Sequence, residues 1–305
     1  MKRFLLKIAL FFVLVAIIDV LCGWSFDWLR NKARGGQTLK SQYISGQCVD
    51  DILILGSSKA AHHYIPQLLS DSLGMSCYNC GQEGNGIVAA YARYKMVSAR
   101  KLPKLIIYEV TPGYDYLKDN GYSGYLGALR QYTNNEDVRN EYLAFSDELE
   151  NLRLFSNMYC NNSKIVPYVK DIVRATPNNF GYEPLYGKIS ASGKKISILN
   201  SQDHNLQLDS LKYAYMERLV NETKENDIEL LFIISPAFNP NENMISYKPV
   251  FDLSKQYGIP VINDMECNTI TGNNEMFQDQ THLNNTGAIE YSKFVAHQIT
   301  QLVNE

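Results

Sequence analysis

Two short stretches of this chain combine residue types that can attack a carbonyl and move a proton. The first is Gly56-Ser57-Ser58-Lys59, directly after an apolar run. A serine where a buried strand gives way to a helix can present its hydroxyl beside free N–H groups of that helix, and those amides can stabilise an oxyanion. The same turn also reads as a plain helix cap. The Gly-x-Ser-x-Gly elbow is absent, because Ala60 stands where its second glycine would be. That argues against a site of the α/β-hydrolase type. The second stretch is Asp279-Gln280-Thr281-His282-Leu283-Asn284. Its three-residue spacing on a turn can bring the carboxylate to one imidazole nitrogen and leave the other free as a base. Alone, the pair equally reads as a surface Asp and His without a task.

Groups this far apart need a scaffold that gathers them. Five apolar runs bounded by turn residues supply one: Asp51–Leu55, Met75–Cys80, Lys104–Val110, Glu229–Ser235 and Ile259–Asn263. Their Ile/Leu/Val content without alternation suits strands buried on both faces, as in a parallel sheet. Amphipathic segments lie between them, the clearest at Leu208–Lys224, and a last helix is expected from about Thr286 to Val303 with Asn284 or Asn285 as cap. Alternation of strand and helix predicts a doubly wound α/β fold with right-handed crossovers. In such a sheet every loop after a strand emerges at the carboxyl edge, so Ser58, Gly84, Asp279 and His282 can converge on one crevice. The third and fourth runs are about 120 residues apart, far more than one crossover needs. Roughly residues 115–205 are therefore an elaboration, with a helix expected over Glu136–Leu154.

Composition excludes several classes. The 305 residues are 45% hydrophobic and 20% charged, with a net charge of −3. Disorder and collagen-like repeats are ruled out, and nothing attracts a nucleic acid. Six scattered cysteines make neither a disulfide scaffold nor a zinc site. No cofactor and no metal is expected. The amino terminus differs from the rest: Phe4–Trp24 is apolar except for Lys7 and Asp19, after a basic start. At 21 residues it is long enough for a bilayer core of about 30 Å. With no small-residue cleavage site it reads as an uncleaved signal anchor over residues 1–28, the alternative being a cleaved signal peptide. Trp24 and Trp28 fall where an interfacial belt would sit. Polar residues 29–48 read as a juxtamembrane tether, and residues 49–305 as the main domain. Basic residues flank the span almost equally, so charge alone sets no orientation.

The motifs together resemble the SGNH/GDSL hydrolases. The likeness rests on Ile52-Leu53-Ile54-Leu55-Gly56-Ser57-Ser58, on Tyr78-Asn79-Cys80-Gly81-Gln82-Glu83-Gly84, and on Asp279-Gln280-Thr281-His282. It implies a flavodoxin-like three-layer α/β/α fold and ester hydrolysis or acyl transfer. By this resemblance Ser58 is the nucleophile, His282 the base, Asp279 its orienting partner, and the Ser58 and Gly84 amides the oxyanion donors. The family's third block supplies an asparagine after strand three, whereas this chain reads Thr111-Pro112-Gly113-Tyr114-Asp115, with no Asn before Asn120. Asn85 or the Tyr114 hydroxyl are the substitutes to consider, weak catalysis or none being the other outcomes. The amino-terminal span makes the chain similar to membrane-anchored bacterial members that acylate or deacylate envelope polysaccharides. That implies an extracytoplasmic catalytic domain and an acylated glycan as substrate. A non-catalytic glycan-binding or assembly protein on the same fold is the other reading.

Other features are weaker. His62-His63-Tyr64 lacks the i, i+4 spacing of a helical metal pair, and a structural or pocket-rim role is expected. Cys77 and Cys80 fall within a strand, where residues three apart sit about 10 Å apart, too far for a local disulfide. Ten of the 21 tyrosines lie between Tyr114 and Tyr186, either as a carbohydrate platform or half-buried in an irregular insertion. His204 beside Asp203 reads as a loop residue, and Lys188, Lys194 and Lys195 as a solvated turn. Asn161-Asn162-Ser163 and two similar tripeptides match the glycosylation pattern but carry little weight in a bacterial-looking chain.

Overall fold

A computed structural model describes residues 1–118, 127–144, 146–161, 163–174, 176, 178–189, 207–239 and 244–304. Phe145, Asn162, Lys194, Lys195, Asp203, His204 and Asn120 lie outside the described residues. The chain divides into two compact units, one of Met1–Tyr43 and Leu126–Asn178, the other of Ile44–Tyr125 and Asn179–Glu305.

In chain order the helices are α1 (Lys2–Asn31), α2 (Gly36–Gly46), α3 (Ser58–His63), α4 (Pro66–Leu73), α5 (Ile87–Ser98), α6 (Pro112–Asp115), α7 (Glu136–Leu143), α8 (Glu150–Arg153), α9 (Asn157–Cys160), α10 (Ile165–Val173), α11 (Ser210–Glu225), α12 (Lys248–Tyr257) and α13 (Asn285–Asn304). The strands are β1 (Ile52–Gly56), β2 (Cys77–Asn79), β3 (Leu105–Glu109), β4 (Glu229–Ile234) and β5 (Val261–Asn263).

All five strands pair in parallel in the order β2-β1-β3-β4-β5. This is the flavodoxin-like order, and its connections reverse direction between β1 and β3. The central strands are buried along their lengths because helices cover both faces. On one face Ile52, Ile54, Ile107, Leu231 and Ile233 pack with Ala60, Tyr64, Leu69, Tyr291, Val295 and Ile299 from α3, α4 and α13. The other face receives α5 and α11, whose Tyr91 and Tyr215 rings meet edge to face at 5.4 Å. The edge strands β2 and β5 are shorter than their apolar runs, since only residues with a partner join the ladder. Asn284 caps α13, its Oδ1 accepting from the Gly287 amide at 3.0 Å.

The first unit corrects one expectation and adds a helix. Residues 36–46, within the segment read as a tether, are helical, and Asp171 reaches from α10 to accept both the Thr38 amide (3.0 Å) and its hydroxyl (2.6 Å). The helix expected over 136–154 is broken. Asp147 Oδ1 accepts from the Leu149 amide at 2.9 Å, a local bond that competes with continued helix. Glu150, buried at the start of α8, then gathers the hydroxyls of Tyr142 and Tyr159 and the Arg153 guanidinium.

Candidate active site

Ser58 opens α3 immediately past β1, on one side of the reversal point. The backbone is held tight there: Gly56 has φ +133°, and a Cβ on it would lie 2.6 Å from the Glu109 carbonyl oxygen of β3. Neither serine hydroxyl acts as a helix cap. Ser57 Oγ lies 2.8 Å from Thr111 Oγ1 and so ties the loops after β1 and β3 together across the reversal point. Ser58 Oγ lies 2.8 Å from His282 Nε2.

The His282 ring is held from its other side. Nδ1 is 2.9 and 3.1 Å from the two oxygens of Asp279, and Asp279 Oδ1 also accepts from the amides of Thr281 (2.8 Å) and His282 itself (2.9 Å). Partial burial works against the charge of Asp279, but its bonds to the His282 ring and to these amides win and hold its pKa at about 2. It is therefore ionised at neutral pH and fixes Nδ1 as the protonated nitrogen, leaving Nε2 a lone pair toward Ser58. A hydroxyl, an imidazole and a carboxylate, from residues up to 224 positions apart, thus stand in one hydrogen-bonded line, an arrangement able to activate the hydroxyl.

Asn79, buried at the end of β2, donates to the carbonyls of Ala60 (2.7 Å) and Tyr64 (3.1 Å) and accepts from the Gly81 amide (2.9 Å). It fastens the helix carrying Ser58 to the glycine block. Gly84 sits in the turn that follows, at φ +65°. The Tyr114 backbone packs against Gly86, which brings the loop after β3 beside that block. The Asn85 side-chain amide donates one hydrogen to the Glu83 carbonyl at 2.8 Å. His62 is buried in α3. Its ring lies 5.5 Å from that of His282, with Nε2 2.8 Å from Glu83 Oε1 and Nδ1 2.7 Å from the Glu183 carbonyl. Both of its nitrogens face acceptors, an arrangement that favours the doubly protonated, charged ring. Burial opposes that charge, yet the bonds to Glu83 and Glu183 outweigh it and raise the His62 pKa. Cys77 and Cys80 are buried and not joined in a disulfide.

A buried chain that sequence reasoning missed lies beneath these residues. The Leu283 amide donates to His63 Nε2 at 3.0 Å, so His63 must carry its proton on Nδ1, which faces Ser235 Oγ at 2.8 Å. Ser235 Oγ in turn donates to Glu109 Oε1 at 2.7 Å, and Tyr64 donates to the other carboxylate oxygen. Lys59 is buried nearby, and its charge lowers the pKa of both His63 and Glu109. The chain joins the ends of β3 and β4 to the residue after His282, and so holds the turn that carries His282 in place. The available signal was a carboxylate ending an otherwise apolar strand.

Burial raises the Glu109 pKa to about 6 against those opposing influences. A carboxyl that holds its proton more tightly folded than unfolded costs stability as pH rises from about 4.5 through 6, here about 2 kcal/mol. Glu109→Gln is expected to remove that component. In urea unfolding, the stability difference between wild type and variant should shift by about 2 kcal/mol between about pH 4 and pH 8 in favour of the variant. A difference independent of pH would refute the assignment.

No family model and no curated protein matches this sequence significantly. Among solved structures the chain is similar to an acetyl xylan esterase, AlAXEase, at 11% identity over 83% of this chain and 99% of that one, with a TM-score of 0.40. It is also similar to a catalytic mutant of an acetylxylan esterase from Geobacillus stearothermophilus, at 11% identity over 82% and 94%, TM-score 0.41. A protein assigned as lipolytic of the G-D-S-L family, from Desulfitobacterium hafniense DCB-2, matches at 10% identity over 81% and 98%, TM-score 0.40. At such distance, function has to be read from the side chains.

Proposed function

We propose that this protein is a membrane-anchored serine esterase or O-acyltransferase acting on ester-linked acyl groups, acetyl foremost, of a cell-envelope glycan. The observation that carries the reading is the hydrogen-bonded line Ser58–His282–Asp279 at the carboxyl edge of the sheet. Ser58 Oγ attacks the ester carbonyl while His282 Nε2 takes its proton. The amides of Ser58 and Gly84 receive the oxyanion. His282 then protonates the departing alcohol, leaving an acyl-serine that water or a sugar hydroxyl resolves with His282 again as base. No metal or cofactor is called on. A glycan is favoured by the segment 179–189, which exposes Phe180 and Tyr186 while bonding to Ala61 on one side and Asn285 on the other. Exposed aromatic faces beside a site suit amphipathic ligands such as sugar rings. The anchor is α1, long and apolar enough to cross a membrane, with the catalytic unit on the extracytoplasmic side.

A second reading, a binding protein without turnover, is favoured by the loop after β3. Thr111 stands there in place of an asparagine, and its hydroxyl faces Ser57. Labelling with a fluorophosphonate probe separates the two. The enzyme reading expects wild type to label and Ser58→Ala not to; a wild type that stays unlabelled while folded supports the binding protein. Capture of the acyl group by an added sugar then tells transferase from hydrolase.

A further inference from the structure

The first unit presents its apolar side chains outward. In α10 the exposed residues Ile165, Val166, Val169 and Val173 fall within one 100° arc of the helix, whereas Tyr168 and Asp171 on the opposite side are buried. Just upstream Leu152, Phe155 and Met158 are exposed as well, and Phe155, Val166 and Val173 each keep 76% of their surface. Soluble surfaces rarely show an apolar cluster of this kind without an occupant.

The position of α1 indicates the occupant. Both α9 and α10 pack against α1. Asp19, the one acid in the apolar run, accepts from Ser156 Oγ (2.6 Å), the Asn157 amide (2.8 Å), Asn157 Nδ2 (3.0 Å) and the Met158 amide (3.0 Å). Gly23, one turn on, allows Asn157 to approach so closely that a Cβ there would stand 2.7 Å from its Cγ. The turn at 156–158 is therefore locked to a definite level of the helix. Phe4 to Ile18 rises about 22 Å, so a bilayer core of about 30 Å extends about 8 Å beyond, to the level of the exposed Trp24. That margin equals the 5–10 Å (approximately) to which interfacial helices sink. Lys170 and Arg174 flank the apolar arc, where cationic side chains can reach headgroups.

We propose that residues 149–169 are a monotopic foot, inserted among the lipids of the leaflet from which α1 emerges. This rests on the membrane-anchor reading of α1 and goes beyond it, since a bare anchor would leave these residues in water. The end of α10 leaves the lipid again, because Asp171 is tied to Arg34 and Thr38 past the end of α1. The test uses the full chain, with the half-exposed Cys22 and Cys160 changed to Ser, reconstituted in phosphatidylethanolamine/phosphatidylglycerol vesicles. Nitroxide labels are placed singly by Phe155→Cys and Val166→Cys, with Val13→Cys in the span and Glu229→Cys in the catalytic unit as references. The expected result is oxygen accessibility several-fold above that of a water-soluble nickel chelate at 155 and 166, as at 13 and opposite to 229. Nickel access at the two sites with position 13 still in lipid would overturn the foot and spare the anchor. Nickel access at 13 would overturn both. Shielding of the two sites from both quenchers would mean that protein covers them, and would overturn the lipid assignment.

Discussion

His282→Ala and Ser58→Ala are each expected to lower kcat/KM on an acetyl ester by about 10⁴- to 10⁶-fold, and the double variant by no more than the worse single one. A serine hydroxyl is a poor nucleophile unless its proton leaves as the bond forms, and His282 Nε2, at 2.8 Å, is the group placed to take it. Once either partner is gone the other has nothing to act on, so the costs cannot add. The measurement is a double-mutant cycle on the steady-state rate, with circular dichroism confirming that each variant folds. The two side chains lie at the rim of the site rather than in the core, so folding should survive both changes. Multiplying losses would mean that the two residues serve separate steps, and the proposed mechanism would fall.

Asp279→Asn should cost about 10³- to 10⁴-fold although it changes almost no volume. Oδ1 of the new amide can keep the bonds from the Thr281 and His282 amides. Its Nδ2 then faces His282 Nδ1 where a carboxylate oxygen stood at 2.9 Å. Two donors cannot share that contact, so the imidazole carries its proton on Nε2 and points it at Ser58, and the lone pair that should accept is lost. The wild-type carboxylate, held at about 2, stays ionised at every pH at which the protein would be assayed. Residual activity in the variant should rise steadily with pH, as hydroxide replaces the missing base, in a pH–rate profile. An unchanged profile would show that Asp279 only shapes the turn.

The strands and the two chemical blocks were legible because both are local. Ile52–Leu55 and Leu105–Ile107 are short unbroken apolar runs bounded by turn residues, which suit strands covered on both sides, and the Asp-x-x-His spacing needs only one turn to close. The chain from Leu283 through His63 and Ser235 to Glu109 was not legible, because its members lie on four elements that meet only after the sheet is ordered β2-β1-β3-β4-β5. The helix at 36–46 escaped notice for the same reason: Asp171, which holds its first turn, is 133 positions from Thr38. The break at Asp147 was local yet hidden, since helical periodicity ran on through it.

The bonds around Asp19 bear on how the chain can be processed. A peptidase cutting at the end of the greasy leader would carry off Asp19, which accepts from the Ser156 hydroxyl and the Asn157 and Met158 amides in that turn. It would also strip the surface on which α9 and α10 rest. In the proposed anchored form, α1 would therefore serve the first unit as a packing partner as well as a tether.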